Sequence, residues 1–264
     1  MNSKIISVVV PTHNRAHSLI RLLNSFNKQK EFPKEIIIVN DGSDDRTQEI
    51  LKKWEVRNHG FIPIVFNNPD SQGPAVARNI GIQLASGDAI AFTDDDCIVH
   101  PLWIKVINNS KIWKISNKIA GIGGKVIPFR NGIVSEYFAF HRILEPPRYN
   151  QYLVTANACY LKEKLNEVNG FDETHKYPGG EDNGLSFKLA NLGYEFGFEK
   201  KMIIKHDYRT SIYAFIKTFY RYGKGCAEIT HKYLNNLSRK NIRENNMQNL
   251  EALLFNISNK IEVK

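Results

Sequence analysis

Up to about residue 98 the chain alternates short apolar runs with stretches of helical periodicity, and a polar loop follows each apolar run. A short apolar run between turn signals fits a strand buried on both faces. Strands separated by amphipathic segments pair in parallel, because a parallel connection needs a crossover. Residues 5–10 read as such a strand, and 35–39, 62–66 and 89–92 as three more strands. Leu19/Leu22/Leu23/Phe26, Ile50/Leu51/Trp54 and Pro74–Leu84 read as the intervening helices, with Pro74 suited to a first turn that needs no N–H there. The expected fold class is therefore α/β, a mostly parallel central sheet flanked by helices.

In such sheets ligands bind at the carboxyl ends of the strands, so the loops leaving each strand are where chemistry is expected. Four are polar and distinctive: Pro11-Thr12-His13-Asn14-Arg15, Asn40-Asp41-Gly42-Ser43-Asp44-Asp45, the stretch ending Gly73-Pro74-Ala75-Val76-Ala77-Arg78-Asn79, and Thr93-Asp94-Asp95-Asp96. Residues 101–206 are less regular, with glycine turns at Gly121/Gly123/Gly124 and Gly179/Gly180, and read as a mixed continuation of the same domain. No Pro/Ser-rich linker divides it, which gives a domain over residues 1–210 and a helical C-terminal tail over 211–264.

Composition narrows the class. The 264 residues and 42% hydrophobic content suffice for a large core. The first apolar run is too short to span a bilayer and lacks the flanks of a secretion signal, so neither export by that route nor a membrane span is expected. Cys97, Cys159 and Cys226 are widely spaced and odd in number, unlike a disulfide framework or a CxxC zinc site, and a reducing cytoplasm is the simplest compartment. The net charge of +9 is not organised into a basic, aromatic-interleaved module, so no nucleic-acid partner is expected. From residue 211 onward nine Lys/Arg stand against four Glu, so the charge asymmetry is concentrated in the tail.

Three successive carboxylates, Asp94, Asp95 and Asp96, repel one another unless a cation sits among them. A hard divalent ion completed by substrate phosphates answers this, and a solvated acidic turn is the plain alternative. Glu181 and Asp182 open a helical pattern at Leu185, Leu189 and Leu192, closed by Gly193. Acidic residues there suit the helix dipole, and one of them equally suits a general base. His206 ends a short apolar run; it is an acceptable Mn²⁺ ligand or an ordinary structural histidine. Asp41 and Arg78 stand just past strand ends, able to accept from and donate to a nucleotide, or simply to shape turns.

Taken in order, these segments resemble the inverting family-2 glycosyltransferases of GT-A fold over roughly residues 5–208. Val8-Val9-Val10-Pro11-Thr12-His13-Asn14-Arg15 is similar to the family's opening strand, and Asn40-Asp41-Gly42-Ser43 to its DDGS turn. Gly73 to Gly81 is similar to its Ala-Arg-Asn helix entry, Thr93-Asp94-Asp95-Asp96 to its DxD element, and Asn169-Gly170-Phe171-Asp172-Glu173 with Gly180-Glu181-Asp182 to its later GGFDE and ED pair. Asn40 and Asn169 depart from that pattern, the second at a turn. The resemblance implies a donor nucleotide site of Pro11, Thr12, Asn14, Arg15, Asp41, Arg78, Asp94 and Asp95, with uracil as the base. It implies a Mn²⁺ or Mg²⁺ site at Asp94 and Asp96 with His206 added, and Asp182 as catalytic base ahead of its neighbour Glu181. It also implies a nucleotide-sugar donor, a glycan or lipid-linked acceptor, and a part in bacterial surface polysaccharide assembly.

Two other classes share parts of this pattern. A sugar-phosphate nucleotidyltransferase also joins nucleotide, sugar and metal, but its glycine-rich loop after the first strand is missing here. A non-catalytic nucleotide-sugar-binding module would have no need of the acidic set. In the tail, Ile212, Phe215, Ile216 and Phe219 share one helix face and Lys217, Arg221 and Lys224 another. That face either packs on the catalytic domain or lies on an anionic membrane surface.

Overall fold

The computed structural model describes residues 4–146, 152–175 and 179–239. Eight strands form one sheet: β1 (Ile6–Thr12), β2 (Glu35–Asp41), β3 (Ile62–Asn68), β4 (Ala89–Thr93), β5 (Cys97–Val99), β6 (Ile119–Pro128), β7 (Asn157–Leu161) and β8 (Glu195–His206). The helices are α1 (Ala16–Phe26), α2 (Thr47–Glu55), α3 (Pro74–Leu84), α4 (Trp103–Asn109), α5 (Ile133–His141), α6 (Lys162–Glu167), α7 (Glu181–Asn191) and α8 (Ile212–Arg239). The sheet order is β3-β2-β1-β4-β7-β6-β8-β5.

The first four strands pair in parallel, as their periodicity predicts. Beyond them the sheet is mixed: β7 runs antiparallel to both β4 and β6, and β5 antiparallel to β8. Period-2 alternation sends β1 and β2 side chains to opposite faces. Val8, Val10, Ile36 and Ile38 join the core under α1 and α2, which supply Leu19, Leu22, Leu23, Phe26, Leu51 and Trp54. Val9, Ile37 and Val39 join the core under α3, α6 and α7 with Ala77, Ile82, Leu165, Leu185 and Leu189. Both faces are covered, which is why these strands read as unbroken apolar runs. Truncating a fully buried member such as Leu22 to Ala costs about 2–5 kcal/mol.

Buried polar groups fix the register of the layers. The Glu35 carboxylate accepts from Ser7 Oγ at 2.6 Å and from the Ser86 N–H at 2.5 Å, joining β2, β1 and the turn before β4. Burial pushes that carboxyl up, but the serine hydrogen bonds prevail and hold it below its usual range. Asn157 accepts from Trp103 Nε1 at 2.8 Å and donates to the carbonyls of Lys125 and Met202 at 3.0 and 2.9 Å, so one side chain ties α4, β6, β7 and β8 together.

The α3 helix has the bounds its sequence predicts, and Gly193 adopts the left-handed conformation (φ 83°) expected past the end of α7. Leu192 departs from its expected place on the packed face and is exposed, because α7 has already ended at Asn191. Asn169 has φ 54° in a left-handed turn that asparagine tolerates, so its departure from glycine leaves the turn intact.

The tail reading divides. Phe215 and Phe219 of α8 pack on Tyr137 and Phe138 of α5, with Tyr137–Phe215 ring centroids 5.2 Å apart. Ile212 and Ile216, expected on that same face, are exposed instead. The part of the tail beyond residue 239 lies outside the described residues.

Candidate active site

The carboxyl ends of β1, β2 and β4 open into a cleft of about 1050 Å³ that α7, β8 and α8 close from the other side. Of the twelve predicted site residues, Pro11, Thr12, Arg15, Asp41, Arg78, Asp94, Asp95, Asp96, Glu181, Asp182 and His206 line it. Asn14 does not. Its Oδ1 accepts from the Asp44 N–H at 2.9 Å and its own N–H donates to Ser43 Oγ at 2.9 Å, so it braces two neighbouring loops.

Asp41 ends β2 and is buried. Its carboxylate accepts from Asn68 Nδ2 at 2.8 Å, Ser71 Oγ at 2.9 Å, and the N–H groups of Gln72 at 3.0 Å and Gly73 at 2.8 Å. It therefore holds the loop that enters α3. Gly42 follows in a left-handed conformation (φ 65°), and a Cβ there would lie 2.4 Å from the Ser71 nitrogen, so only glycine lets the two loops approach. Thr12 Oγ1 is buried without a hydrogen-bond partner among the described residues.

Arg78, on the first turns of α3, is 4% exposed and spans the cleft floor. It donates to Asp94 Oδ1 at 2.9 Å and to Glu181 Oε1 at 3.0 Å, and its guanidinium stacks 5.7 Å from the Phe171 ring centroid. Glu181 Oε2 also accepts from the Gly179 N–H at 2.7 Å. Both oxygens of Glu181 are thus engaged. Its neighbour Asp182 is half-buried in the cleft and accepts from the Thr155 N–H at 3.3 Å through one oxygen. Burial first, then the nearby Glu181 charge, pushes the Asp182 carboxyl up to about 7. Pro178, which precedes this turn in the sequence, lies outside the described residues.

The acidic turn behaves as a crowded set. Burial raises the carboxyls of Asp94 and Asp95, against the pull of Arg78 on the first; Asp96 raises Asp95 further, while Arg15 opposes it. Arg15 stands 3.9 Å from Asp95 and 3.8 Å from Asp96. The antiparallel pairing of β5 with β8 sets Cys97 opposite His206 and brings His206 Nε2 to 3.3 Å from Asp96 Oδ1. The ligand atoms of Asp96, Cys97 and His206 lie within 4.8 Å of one another. Burial raises the Cys97 thiol well above its usual range, which keeps it protonated and a poor ligand for a hard ion. Of the three, Asp96 and His206 offer the donor atoms suited to a hard ion, while Asp94 is turned toward Arg78.

Several cleft residues escaped the sequence reading. Tyr222 of α8 faces Asp94, Asp182, Asp96 and Glu181; burial first, then those charges, raises its phenol. Arg209, three residues after His206, lies within electrostatic reach of Arg15, Arg221 and Asp96. Its place just past the end of β8 was a usable signal. The α8 residues had none, because nothing local places that helix over the cleft.

Residues 7–109 match the model of glycosyl transferase family 2. The chain is 26% identical over 244 residues to a pre-mycofactocin glycosyltransferase of Mycobacterium tuberculosis, covering 86% of this chain and 48% of that protein. It is 27% identical over 233 residues to the glycosyltransferase AglE of Haloferax volcanii, covering 85% of this chain and 73% of that one. It is also 32% identical over 173 residues to the poly(ribitol-phosphate) beta-N-acetylglucosaminyltransferase TarS of Staphylococcus aureus, covering 60% of this chain and 30% of that one. The chain thus spans about half the length of the first of these relatives and less than a third of the last. Among solved structures, the mannosyltransferase PcManGT of Pyrobaculum calidifontis, in complex with GDP-Man and Mn²⁺, superposes with a TM-score of 0.69 at 18% identity, covering 89% of this chain and 65% of that one. The TarS fragment 1–349 of Staphylococcus aureus with UDP-GlcNAc gives 0.64 at 20% identity, covering 95% and 72%. The chain carries the GT-A fold of these neighbours, and its residues 7–109 are similar to glycosyl transferase family 2.

Proposed function

We propose that this chain transfers a sugar from a nucleotide-diphosphate sugar, with UDP as the nucleotide, to an acceptor hydroxyl with inversion at the anomeric carbon. The observation that carries this reading is the division of labour between Glu181 and Asp182. Glu181 is engaged by Arg78 and Gly179 at 3.0 and 2.7 Å, which leaves Asp182 to meet an incoming hydroxyl. A carboxylate raised toward 7 is matched to taking a proton near neutral pH. We assign Asp182 as the base and Glu181 as its anchor.

On the donor side, Pro11, Thr12 and Asp41 are assigned to the base and ribose and Arg15 to the diphosphate. Arg78, whose guanidinium already serves Asp94 and Glu181, is assigned a positioning role instead of the nucleotide contact expected of it. An imidazole with carboxylate oxygens suits Mn²⁺ or Mg²⁺, and Asp96 and His206 would hold such an ion with Asp94 beside it. When bound, it would neutralise charge developing on the leaving diphosphate. Asp182 takes the acceptor proton as the hydroxyl attacks the anomeric carbon and the C–O bond to the diphosphate breaks. From the family resemblance we infer a glycan or lipid-linked acceptor in surface polysaccharide assembly, and from the three free cysteines a cytoplasmic site of action.

The test is Asp182→Asn. Nucleotide release from the preferred donor should fall by at least about 10²–10⁴, the usual contribution of a general base, with donor affinity nearly unchanged. Full activity in that variant refutes the assignment.

A further inference from the structure

The surface of α8 carries three stripes, and one of them packs against the catalytic domain. At about 100° per residue, Phe215, Phe219 and Tyr222 share the stripe that meets the catalytic domain. Ile212, Tyr213, Ile216 and Tyr220 form the next stripe, and they are 70%, 76%, 61% and 73% exposed. Lys217, Arg221 and Lys224 form the third, on the far side of the exposed apolar one.

A second exposed apolar pair lies on α5. Ile133 and Phe140, seven residues apart and so on one face, are 85% and 83% exposed. Tyr137 stands between them and contacts Phe215 and Phe219 of α8 at 5.2 and 6.0 Å between ring centroids. Both exposed stripes therefore border one aromatic contact, and Tyr137, Ile216 and Tyr220 also line the cleft. The result is a ridge of six exposed aliphatic and aromatic side chains at the cleft mouth, flanked by cations.

Soluble surfaces rarely gather side chains of this kind, and such gatherings mark docking sites. Two features choose the occupant. Isoleucine, phenylalanine and tyrosine beside a lysine/arginine stripe is the pattern of a helix lying in the interface of an anionic bilayer, where rings and aliphatic groups sink below headgroups that the cations meet. Among the described residues no helix is long and apolar enough to cross a membrane, so the contact would be parallel to the surface. We propose that the α5–α8 ridge docks this chain on an anionic lipid bilayer with the cleft mouth at the membrane surface. Unlike the tail contact expected from sequence, this surface includes α5 and excludes Phe215 and Phe219. It stands apart from the transferase reading, since it makes no use of the acidic residues.

The test is flotation of the full chain with phosphatidylcholine vesicles, with and without phosphatidylglycerol, at low and high salt. Wild type should float only with the anionic vesicles and lose that binding at high salt. The variant Ile133→Ser/Phe140→Ser/Ile212→Ser/Tyr213→Ser changes only exposed positions outside the cleft. It should remain at the bottom while releasing nucleotide from a water-soluble donor, or binding it, as wild type does. Lys217→Glu should weaken flotation without altering the melting temperature. The proposal is overturned if wild type does not float, if the quadruple variant floats equally well, or if sedimentation shows a wild-type dimer that the same variant turns into monomer. Loss of turnover in all forms would count against the transferase reading and leave the flotation result standing.

Discussion

Arg78 and Glu181 lie 103 residues apart in the chain, yet their side chains meet at 3.0 Å in the floor of the cleft, each almost fully buried. The second arm of the same guanidinium holds Asp94 at 2.9 Å, so one side chain joins the acidic turn after β4 to the start of α7. A buried ion pair adds little net stability, but removing one partner leaves the others uncompensated. Arg78→Ala should therefore destabilise the fold by about 3–5 kcal/mol. Arg78→Lys should restore only part of it, because an ammonium cannot present two parallel arms. Urea unfolding of the three proteins measures this, and an unchanged midpoint for Arg78→Ala would contradict the bridging role.

The pH dependence follows from Asp182. Its carboxyl is raised to about 7 by burial and by Glu181, and only the ionised form can accept a proton. The log of kcat/KM should rise with unit slope as pH climbs toward about 7 and level off above it. The same shift acts on stability with opposite sign. The fold favours the protonated carboxyl, so that contribution is complete below the ordinary aspartate range and is lost as pH rises through about 7. Asp182→Asn should remove this component from a plot of melting temperature against pH.

In the proposed metal site, Asp96 and His206 are the pair that metal removal would test. Asp96→Ala should abolish the difference in UDP affinity between Mn²⁺ and EDTA, and His206→Ala should reduce it. Titration calorimetry in both conditions is the check. An Asp96→Ala protein that still responds to Mn²⁺ would transfer the role to Asp94.

Two glycines in α8 give a paired test of how the helix is seated. A Cβ on Gly225 would lie 1.7 Å from the Gly179 carbonyl oxygen, whereas one on Gly223 meets nothing within 4 Å. Gly225→Ala should push α8 off the turn before α7 and increase proteolytic cleavage near the start of that helix. Gly223→Ala should be neutral or stabilise by up to about 1 kcal/mol through helix propensity alone.

What the sequence disclosed and what it withheld divide along chain distance. The four parallel strands and α3 were legible because apolar periodicity and Pro74 are local signals. Asp41 and the three aspartates after β4 were legible as cleft residues because strand-end loops collect at one edge of such a sheet. The engagement of Arg78 by Glu181 was not, since it arises from where α7 docks across the sheet. The grouping of Asp96 with His206 came from the family resemblance and not from any local signal, since their approach depends on β5 running antiparallel to β8. On α8, periodicity grouped Ile212 and Ile216 with Phe215 and Phe219, although only the phenylalanines are near enough to α5 to be covered. Hydrophobicity records which side chains avoid water in general, whereas the partner surface decides which of them do.

The most direct measurement is nucleotide release from a panel of UDP-, GDP-, dTDP- and CMP-sugars, with Mn²⁺, Mg²⁺ or EDTA, comparing wild type with Asp182→Asn. The expected result is metal-dependent release of UDP from one donor by wild type, with binding but no release by the variant. Release of pyrophosphate, equal release by both proteins, or no metal-dependent nucleotide binding by wild type would contradict a glycosyl transfer based on Asp182.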